Sequence, residues 1–593
     1  MKKILIIVLM GLCLYNIAFI FLFDKKYEES QTINGEYEIL TVKEETTYYN
    51  KYECKNKKND KFLIYSKKEY VPGDIIKITG EFNKGETRRN YKGFDYSNYL
   101  KQNKIYGIIK INTEEYVRNK KDIYYMIGKI KIFIINKIEK AYLENEQDFL
   151  KGVLLGSTKN IDSETKDLFK KSSISHILAI SGLHITYIVS GIKVFISRFI
   201  KSKRKQNVIL IISLVFFSML TGGSASCVRA CIMNTMILFS ELVYRKNNFY
   251  ISFLIAFIVL IFINPFNIYS IGMWLSFLGT LGIVLFSKMI SKIIIKKTHI
   301  NKSIVDSLST SISAQILIFP IMIYCFNTIS LTFFIPNIII SYIVGPILIL
   351  GYVSILIPYK LSKFVSILEK ILIKLLYKTA QICSNIPFAR VYLKTPSIIF
   401  VIIYYSAIFV LVYLFQKKKF FCLRRIIRPK KLVKKSLKYV LVILIIISLS
   451  NINLDNSLRV YFVDVGQGDC SIVKTPTNKT IIIDGGEDPQ GKIVLPYLLD
   501  RRIERIDYMI ISHFDSDHVG GLIPVIKELR VKNIIISKQY EKSENYYEVL
   551  NLAQKKNIKI IVVQKRWKNR DRKEFIYGHI VARIKNDRRK SIK

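Results

Sequence analysis

The stretch Ile510–Leu522 reads IISHFDSDHVGGL. It holds two histidines and two aspartates, His513, Asp515, Asp517 and His518, within six positions. Imidazole nitrogens and carboxylate oxygens are the donors that hold zinc and harder divalent cations. Four such residues so close together do not share one face of a strand or a helix. They fit a loop folded around a metal, with Gly520 and Gly521 allowing a sharp turn before the next helix. Hydrolysis is the chemistry such a loop serves, because a bound cation makes water a nucleophile at neutral pH. The competing reading is a solvated polar loop, but chance clusters of this density are rare.

The loop needs a scaffold, and the flanking sequence supplies one. From Asn456 the runs LRVYFVDVG, DCSIVKT, KTIIIDGG and IDYMIIS are short and β-rich, separated by Gly, Asn and Pro. Helices are predicted at about Lys492–Arg501 and Leu522–Leu529. Strands alternating with helices indicate an α/β sandwich. Asp464 and Asp469 fit tight turns. Asp484, in Asp-Gly-Gly at a strand end, is placed to support the metal ligands from behind.

The rest of the chain is different in kind. Its 593 residues exceed one compact core, so several domains are expected. Half of the residues are hydrophobic and the formal net charge is +46. That excess suggests an anionic partner such as nucleic acid or lipid headgroups, although a chain-wide lysine bias produces the same number. Eight cysteines with no CxxC pair indicate neither a zinc ribbon nor a disulfide framework. Cys227 and Cys231, one helical turn apart, suit packing.

Met1–Phe23 is a lysine pair followed by an apolar run and reads as a membrane helix. Residues 24–119 alternate polar and apolar in TVKEETTYY, KFLIYS and DIIKITGEF, with a turn at Val71-Pro72-Gly73-Asp74, and read as a small β-domain. Residues 120–173 follow as linker helices, in which Asp122–Leu143 is amphipathic and suits a membrane surface. Residues 174–450 carry recurrent apolar spans: Ile174–Ile200, Val208–Leu220, Cys227–Tyr244, Phe249–Ile263, Ile271–Ile290, Ile304–Phe326, Leu331–Pro358, Ile398–Phe415 and Tyr439–Leu449. Val365–Ile386 is weaker and reads either as a span or as an amphipathic helix. The loops at 201–205, 245–246, 288–302, 359–363 and 417–435 are basic. Those at 221–226, 264–267 and 327–328 have no Lys or Arg. The positive-inside rule then puts the basic loops in the cytoplasm. Counting Val365–Ile386 as a span, both polar domains (24–119 and 456–593) fall outside a cytoplasmic-type membrane.

Within the membrane segment three ionisable residues stand out. His176 and His184 lie in SHILAISGLHITYIVSGI, and Arg229 lies in TGGSASCVRACIMN. Ionisable groups at membrane depth usually face a protein interior or an aqueous path. The alternative is an interfacial residue that snorkels to water, which suits the histidines better than Arg229. Arg229 and His184 are the candidates for a membrane path.

FKKSSISHILAISGLHI, LTGGSASCVRA, NPFNIYSIGMWLSFLGTLG, VDVGQGD, IDGG and SHFDSDHVGG, in this order, resemble the ComEC family of DNA-internalisation competence proteins over nearly the whole chain. The resemblance implies a polytopic α-helical membrane protein with an OB-like extracytoplasmic β-domain and a partial metallo-β-lactamase-like α/β domain. It implies transport of single-stranded DNA across the cytoplasmic membrane, with a nuclease domain for the strand left outside. Partners would be single-stranded DNA, the lipid bilayer, other competence proteins such as a DNA receptor and an ATPase, and further copies of the chain. Tyr48, Tyr49, Phe62, Tyr65 and Tyr70 would suit base stacking, although a barrel core uses the same residues. In the metal loop the resemblance puts His513 and Asp515 on one ion and Asp517 and His518 on another. Asp517 is then the catalytic candidate, with a metal-bound water. Asp replaces the usual His at 515, which hardens that site toward manganese or magnesium rather than zinc.

The later ligands of that fold do not appear. His579, in FIYGHIV, is the only later histidine and fits neither a Gly-Asp nor a paired-His segment. A truncated or frame-shifted end is therefore expected, with an incomplete metal site. Two rival readings follow: a membrane-anchored metal hydrolase, and a non-functional remnant.

Overall fold

Along Asp74–Asn83, Ile76, Ile78 and Phe82 turn inward while Lys77 and Glu81 face water. That period of two is what a half-buried strand requires. Five such strands, β1 (Thr32–Glu45), β2 (Asn50–Asn56), β3 (Lys61–Ser66), β4 (Asp74–Asn83) and β5 (Ile105–Asn119), close into a barrel in the order β1-β2-β3-β5-β4. β4 pairs back onto β1. Only β3 and β5 run parallel; the other neighbours are antiparallel. This is an OB-like barrel. Ile39, Tyr52, Phe62, Ile64, Ile76, Ile78, Phe82 and Ile109 fill it. Phe62 and Tyr70 are thus core residues, whereas Tyr48 and Tyr49 are exposed and Tyr65 is half-buried against Tyr49.

This computed structural model describes residues 11, 15–16, 18–23, 26–45, 48–158, 160–386, 389–422, 457–538 and 543–563. It divides into Met1–Leu454 with Pro496–Arg502, and Asp455–Leu495 with Ile503–Lys593.

In the first unit α1 (Tyr96–Gln102) joins β4 to β5. The Asn264 side chain donates to the carbonyls of Lys101 and Gln102 at 3.2 and 2.8 Å, tying α1 to a loop of the membrane helices. α2 (Ile123–Ala141) starts on Asp122, which caps it. Its Ile127, Ile134 and Ile138 join Phe149, Leu154, Ile347, Leu348 and Ile373 in one core, and Met126 and Phe133 stay exposed.

Beyond the helices Glu144–Leu155, Ser163–Lys171 and Lys203–Leu220, the chain forms α3 (Gly182–Ser197), α4 (Ala225–Leu242), α5 (Phe249–Ile263), α6 (Ile271–Lys297), α7 (Lys302–Phe326), α8 (Phe334–Leu356), α9 (Tyr359–Ser384) and α10 (Ile398–Cys422). Among the described residues α4, α6, α7 and α8 are long and apolar enough to cross a membrane. The chain is a polytopic membrane protein with two further domains. The apolar run 174–200 is not one span. It breaks into a short turn at Ser175–Ile177 and then α3. The cause is Ser181, whose N–H and hydroxyl meet His184 Nδ1 at 3.3 and 2.9 Å and start a new helix. The 16 residues of α3 rise only about 24 Å. α9 takes in Val365–Ile386 almost whole as one amphipathic helix. It buries Ser366, Glu369, Ile373, Leu376 and Ala380 along one stripe and is not among the long apolar helices. The expected span Tyr439–Leu449 lies outside the described residues.

The second unit is built on a six-stranded sheet. Its strands are β6 (Arg459–Phe462), β7 (Ser471–Lys474), β8 (Thr480–Ile483), β9 (Tyr508–Ile511), β10 (Asn533–Ser537) and β11 (Lys559–Val563), side by side in chain order. β8 to β11 run parallel, and β6 and β7 are antiparallel. Ile472, Ile482, Met509, Ile511, Ile534 and Ile536 are buried on it. Helices α11 (Val494–Asp500), whose residues from Pro496 onward are grouped with the first unit, α12 (Ser516–Val519), α13 (Leu522–Glu528) and α14 (Glu544–Lys555) occupy the connections.

Candidate metal centre

The metal loop leaves the C-terminal end of β9, a central parallel strand, where α/β sheets place their sites. Ser512 and His513 follow the strand directly, and α12 carries Asp517 and His518. The two imidazole rings lie 3.9 Å apart between centroids. His513, Asp517 and His518 offer ligand atoms all within 4.8 Å of one another. Asp515 stands outside this group. Its side chain is 75% exposed, and its Oδ2 lies 3.4 Å from His513 Nε2.

Asp484 is 5% exposed and lies at the end of β8 with φ 52, a left-handed conformation that Asp tolerates better than most residues. Its Oδ1 accepts the Ser512 N–H at 2.9 Å. Its Oδ2 accepts the Ser512 hydroxyl at 2.6 Å and faces His518 Nδ1 at 3.0 Å. A proton on Nδ1 satisfies that contact and leaves the Nε2 lone pair free, 3.8 Å from Asp517 Oδ2. The residues therefore fit a divalent cation: His513, Asp517 and His518 would hold it and leave positions open.

Three glycine-rich motifs lock the loop in place. Gly468 has φ 93, and a Cβ there would sit 1.7 Å from the Asp517 carbonyl oxygen. A Cβ on Gly521 would sit 2.1 Å from the Gly485 carbonyl oxygen. The Gly485 N–H donates to the His518 carbonyl at 2.7 Å, and Gly521 N–H to Gly486 at 3.0 Å. VDVGQGD, IDGG and the metal loop thus form one backbone clamp. Asp464 serves its own turn by accepting the Gly466 N–H at 3.0 Å. Asp488, which the sequence did not single out, accepts three N–H groups, from Lys492, Ile493 and Val494, and fixes the start of α11. Cys470 is buried nearby. Burial first, then the Asp484 and Asp488 carboxylates, push its thiol up to about 12.

In the membrane unit Arg229 is 6% exposed. Its Nε donates to Ser276 Oγ at 2.9 Å and its Nη1 to Thr280 Oγ1 at 2.7 Å. Those two partners, four apart on α6, were legible only as hydroxyls in an apolar helix. His184 is 1% exposed and caps α3. Sequence reasoning also missed Glu369, fully buried on α9, which accepts the Tyr142 hydroxyl from 227 residues away.

Known proteins agree with these two units. Residues 153–418 match the competence protein family, and residues 463–587 match the metallo-beta-lactamase superfamily, which suggests divalent-metal binding. ComE operon protein 3 of Bacillus subtilis (strain 168) is 21% identical over 515 residues, which is 83% of this chain and 64% of the relative. The chain therefore aligns with less than two thirds of that relative's length. A competence membrane domain, a metallo-beta-lactamase domain and a relative aligned across most of the chain together match the pattern of the ComEC family, which this chain resembles.

Proposed function

We propose that this protein moves single-stranded DNA inward across the cytoplasmic membrane during natural transformation. The observation that carries the reading is the competence match over residues 153–418, on helices to which the OB-like barrel is tied through Asn264. The barrel and the α/β unit lie outside the membrane in this reading, where DNA arrives, and the basic loops lie in the cytoplasm. DNA, the bilayer, a DNA receptor, an ATPase and further copies of the chain are the partners. The sequence has no P-loop lysine motif, so the driving force comes from a partner or the membrane gradient.

The α/β unit acts on the strand that is not transported. His513, Asp517 and His518 would hold one divalent cation, manganese, magnesium or zinc, and Asp515 would be the remaining donor for a second. A bound cation supplies an acidified water and neutralises phosphate charge. Asp484 orients the His518 ring, and Asp517 is the carboxylate placed to take a proton.

Deletion of the gene in a competent host tests the reading. Transformation should fall to background while DNA binding at the cell surface persists; normal transformation would sink it. A second reading, a membrane-anchored metal hydrolase, is favoured by the clamped three-residue cluster. It requires His513→Ala and Asp517→Ala to abolish function and membrane substitutions to leave it intact.

A further inference from the structure

We propose that Arg229 and the first turn of α3 form a phosphodiester-binding station inside the membrane domain, and that its ligand is a phosphate of the transported strand. This rests on the DNA-transport reading above.

Arg229 is nine-tenths buried in a long apolar helix, where an unpaired charge is strongly unfavourable. Its contacts are all neutral: Ser276, Thr280, the Met233 sulfur at 3.6 Å and the Phe277 ring at 5.7 Å. Among the described residues no carboxylate lies within ion-pairing distance. Buried arginines are ordinarily paired, so this one is built for an anion that the protein does not supply. The hydroxyls fix Nε and Nη1, and Nη2 keeps its donors.

Nη2 faces the start of α3. It lies 3.8 Å from where a Cβ on Gly182 would be. Gly182 and Leu183 open that helix, so their N–H groups have no acceptor within it, and the helix end is positive. A free guanidinium edge beside a helix N-terminus is the arrangement that binds phosphate oxygens. Gly182 adds room. A Cβ there would meet nothing closer than Nη2 and, at 4.0 Å, the Ala230 Cβ, and its φ is not left-handed. Neither the backbone nor a clash demands glycine here, and a larger side chain would fill the space beside Nη2.

The position favours a strand over a lipid headgroup. The guanidinium lies against Ser276 and Thr280 of α6 and beside Gly182 at the start of α3, and the residue is 6% exposed. Arg229 is also a turn inside the loop 221–226, which carries no Lys or Arg. Its charge is therefore not part of the basic-loop pattern that sets orientation.

The test uses the full-length protein in phosphatidylcholine nanodiscs. The probes are a short fluorescent oligothymidine and the same oligomer with an uncharged methylphosphonate backbone. Arg229→Gln should weaken binding of the charged oligomer about tenfold and reduce the salt slope by about 0.7, one single-strand phosphate. It should leave the methylphosphonate oligomer unaffected. Gly182→Val keeps the charge but fills the space and should give the same loss, which separates the effect from misfolding. If both variants keep the wild-type melting temperature and bind the charged oligomer as tightly as wild type, the station does not exist. If the defect appears only in discs containing phosphatidylglycerol, the ligand is a lipid headgroup and the assignment to the strand is wrong. If the wild-type protein binds neither oligomer, the DNA-transport reading itself fails.

Discussion

Asp484 Oδ2 lies 3.0 Å from His518 Nδ1, across a sequence separation of 34 residues. The other carboxylate oxygen is held by the Ser512 N–H at 2.9 Å. One buried side chain thereby couples the end of β8 to the residue after β9 and to the helix that carries His518. The ring is oriented before any ion arrives, which reduces the cost of binding one.

Asp484→Asn exchanges a charged acceptor for an amide that can also donate toward Nδ1, so the His518 tautomer is no longer fixed. Affinity for a divalent cation should fall about 10–100-fold. Metal content of the full-length protein, read by mass spectrometry after dialysis against graded free metal, measures this. Unchanged occupancy would show that Asp484 serves packing only.

Gly468 and Gly466 make a matched pair for separating contact from backbone strain. Both have positive φ, 93 and 83, but only Gly468 has a neighbour that a Cβ would strike, the Asp517 carbonyl. Gly466→Ala should cost about 1–2 kcal/mol, the left-handed penalty alone. Gly468→Ala should cost about 3 kcal/mol or more and displace Asp517. Melting of the α/β unit, followed by limited proteolysis, ranks the two; equal losses would mean that the loops are not clamped.

These glycines also show what the sequence carried and what it did not. VDVGQGD, IDGG and HFDSDHVGG are legible as motifs because each is a short local pattern. Their mutual clamp is not, because Gly468 meets Asp517 only through the sheet order. Arg229 is visible as a charge in an apolar run, yet its partners Ser276 and Thr280 lie 47 and 51 residues away. Hydropathy merges residues 174–200 into one span because ILAI continues the apolar run across the break. The cap formed by Ser181 and His184 is polar chemistry that a window average removes. Phe62 and Tyr70 fit stacking and core equally until barrel closure decides between them.

Glu53 gives the barrel a pH dependence with a definite sign. Burial alone would raise its carboxyl, but Lys43 at 2.6 Å and Lys61 at 2.8 Å outweigh that and hold it below the ordinary value. A lowered folded value means the pair stabilises fully above the unfolded pKa of about 4.3, and the gain fades as pH falls through the folded value. Glu53→Gln should therefore lower the melting temperature at pH 7, by about 1–3 kcal/mol of stability. Wild type and variant should converge in acid. A gap between them that stays constant down to pH 2 would contradict the ion-pair origin.

Cys470 reports on the same clamp from the inside. Its thiol is 4% exposed, and burial with Asp484 and Asp488 pushes it up to about 12. At pH 8 on the order of one thiol in ten thousand is ionised, against about a quarter for an ordinary cysteine. Alkylation by iodoacetamide, mapped to the Cys470 peptide, should thus be slower than at an unperturbed exposed thiol by about three orders of magnitude from ionisation alone. Asp484→Asn removes one of the two neighbouring charges and should speed the reaction modestly, because burial is the larger cause. Gly468→Ala should speed it far more, since Cys470 follows two residues after the position where the clamp is broken. Rapid labelling of the wild-type protein would mean that the loop opens freely, and a ligand set that opens freely does not hold His518 in the orientation set by Asp484.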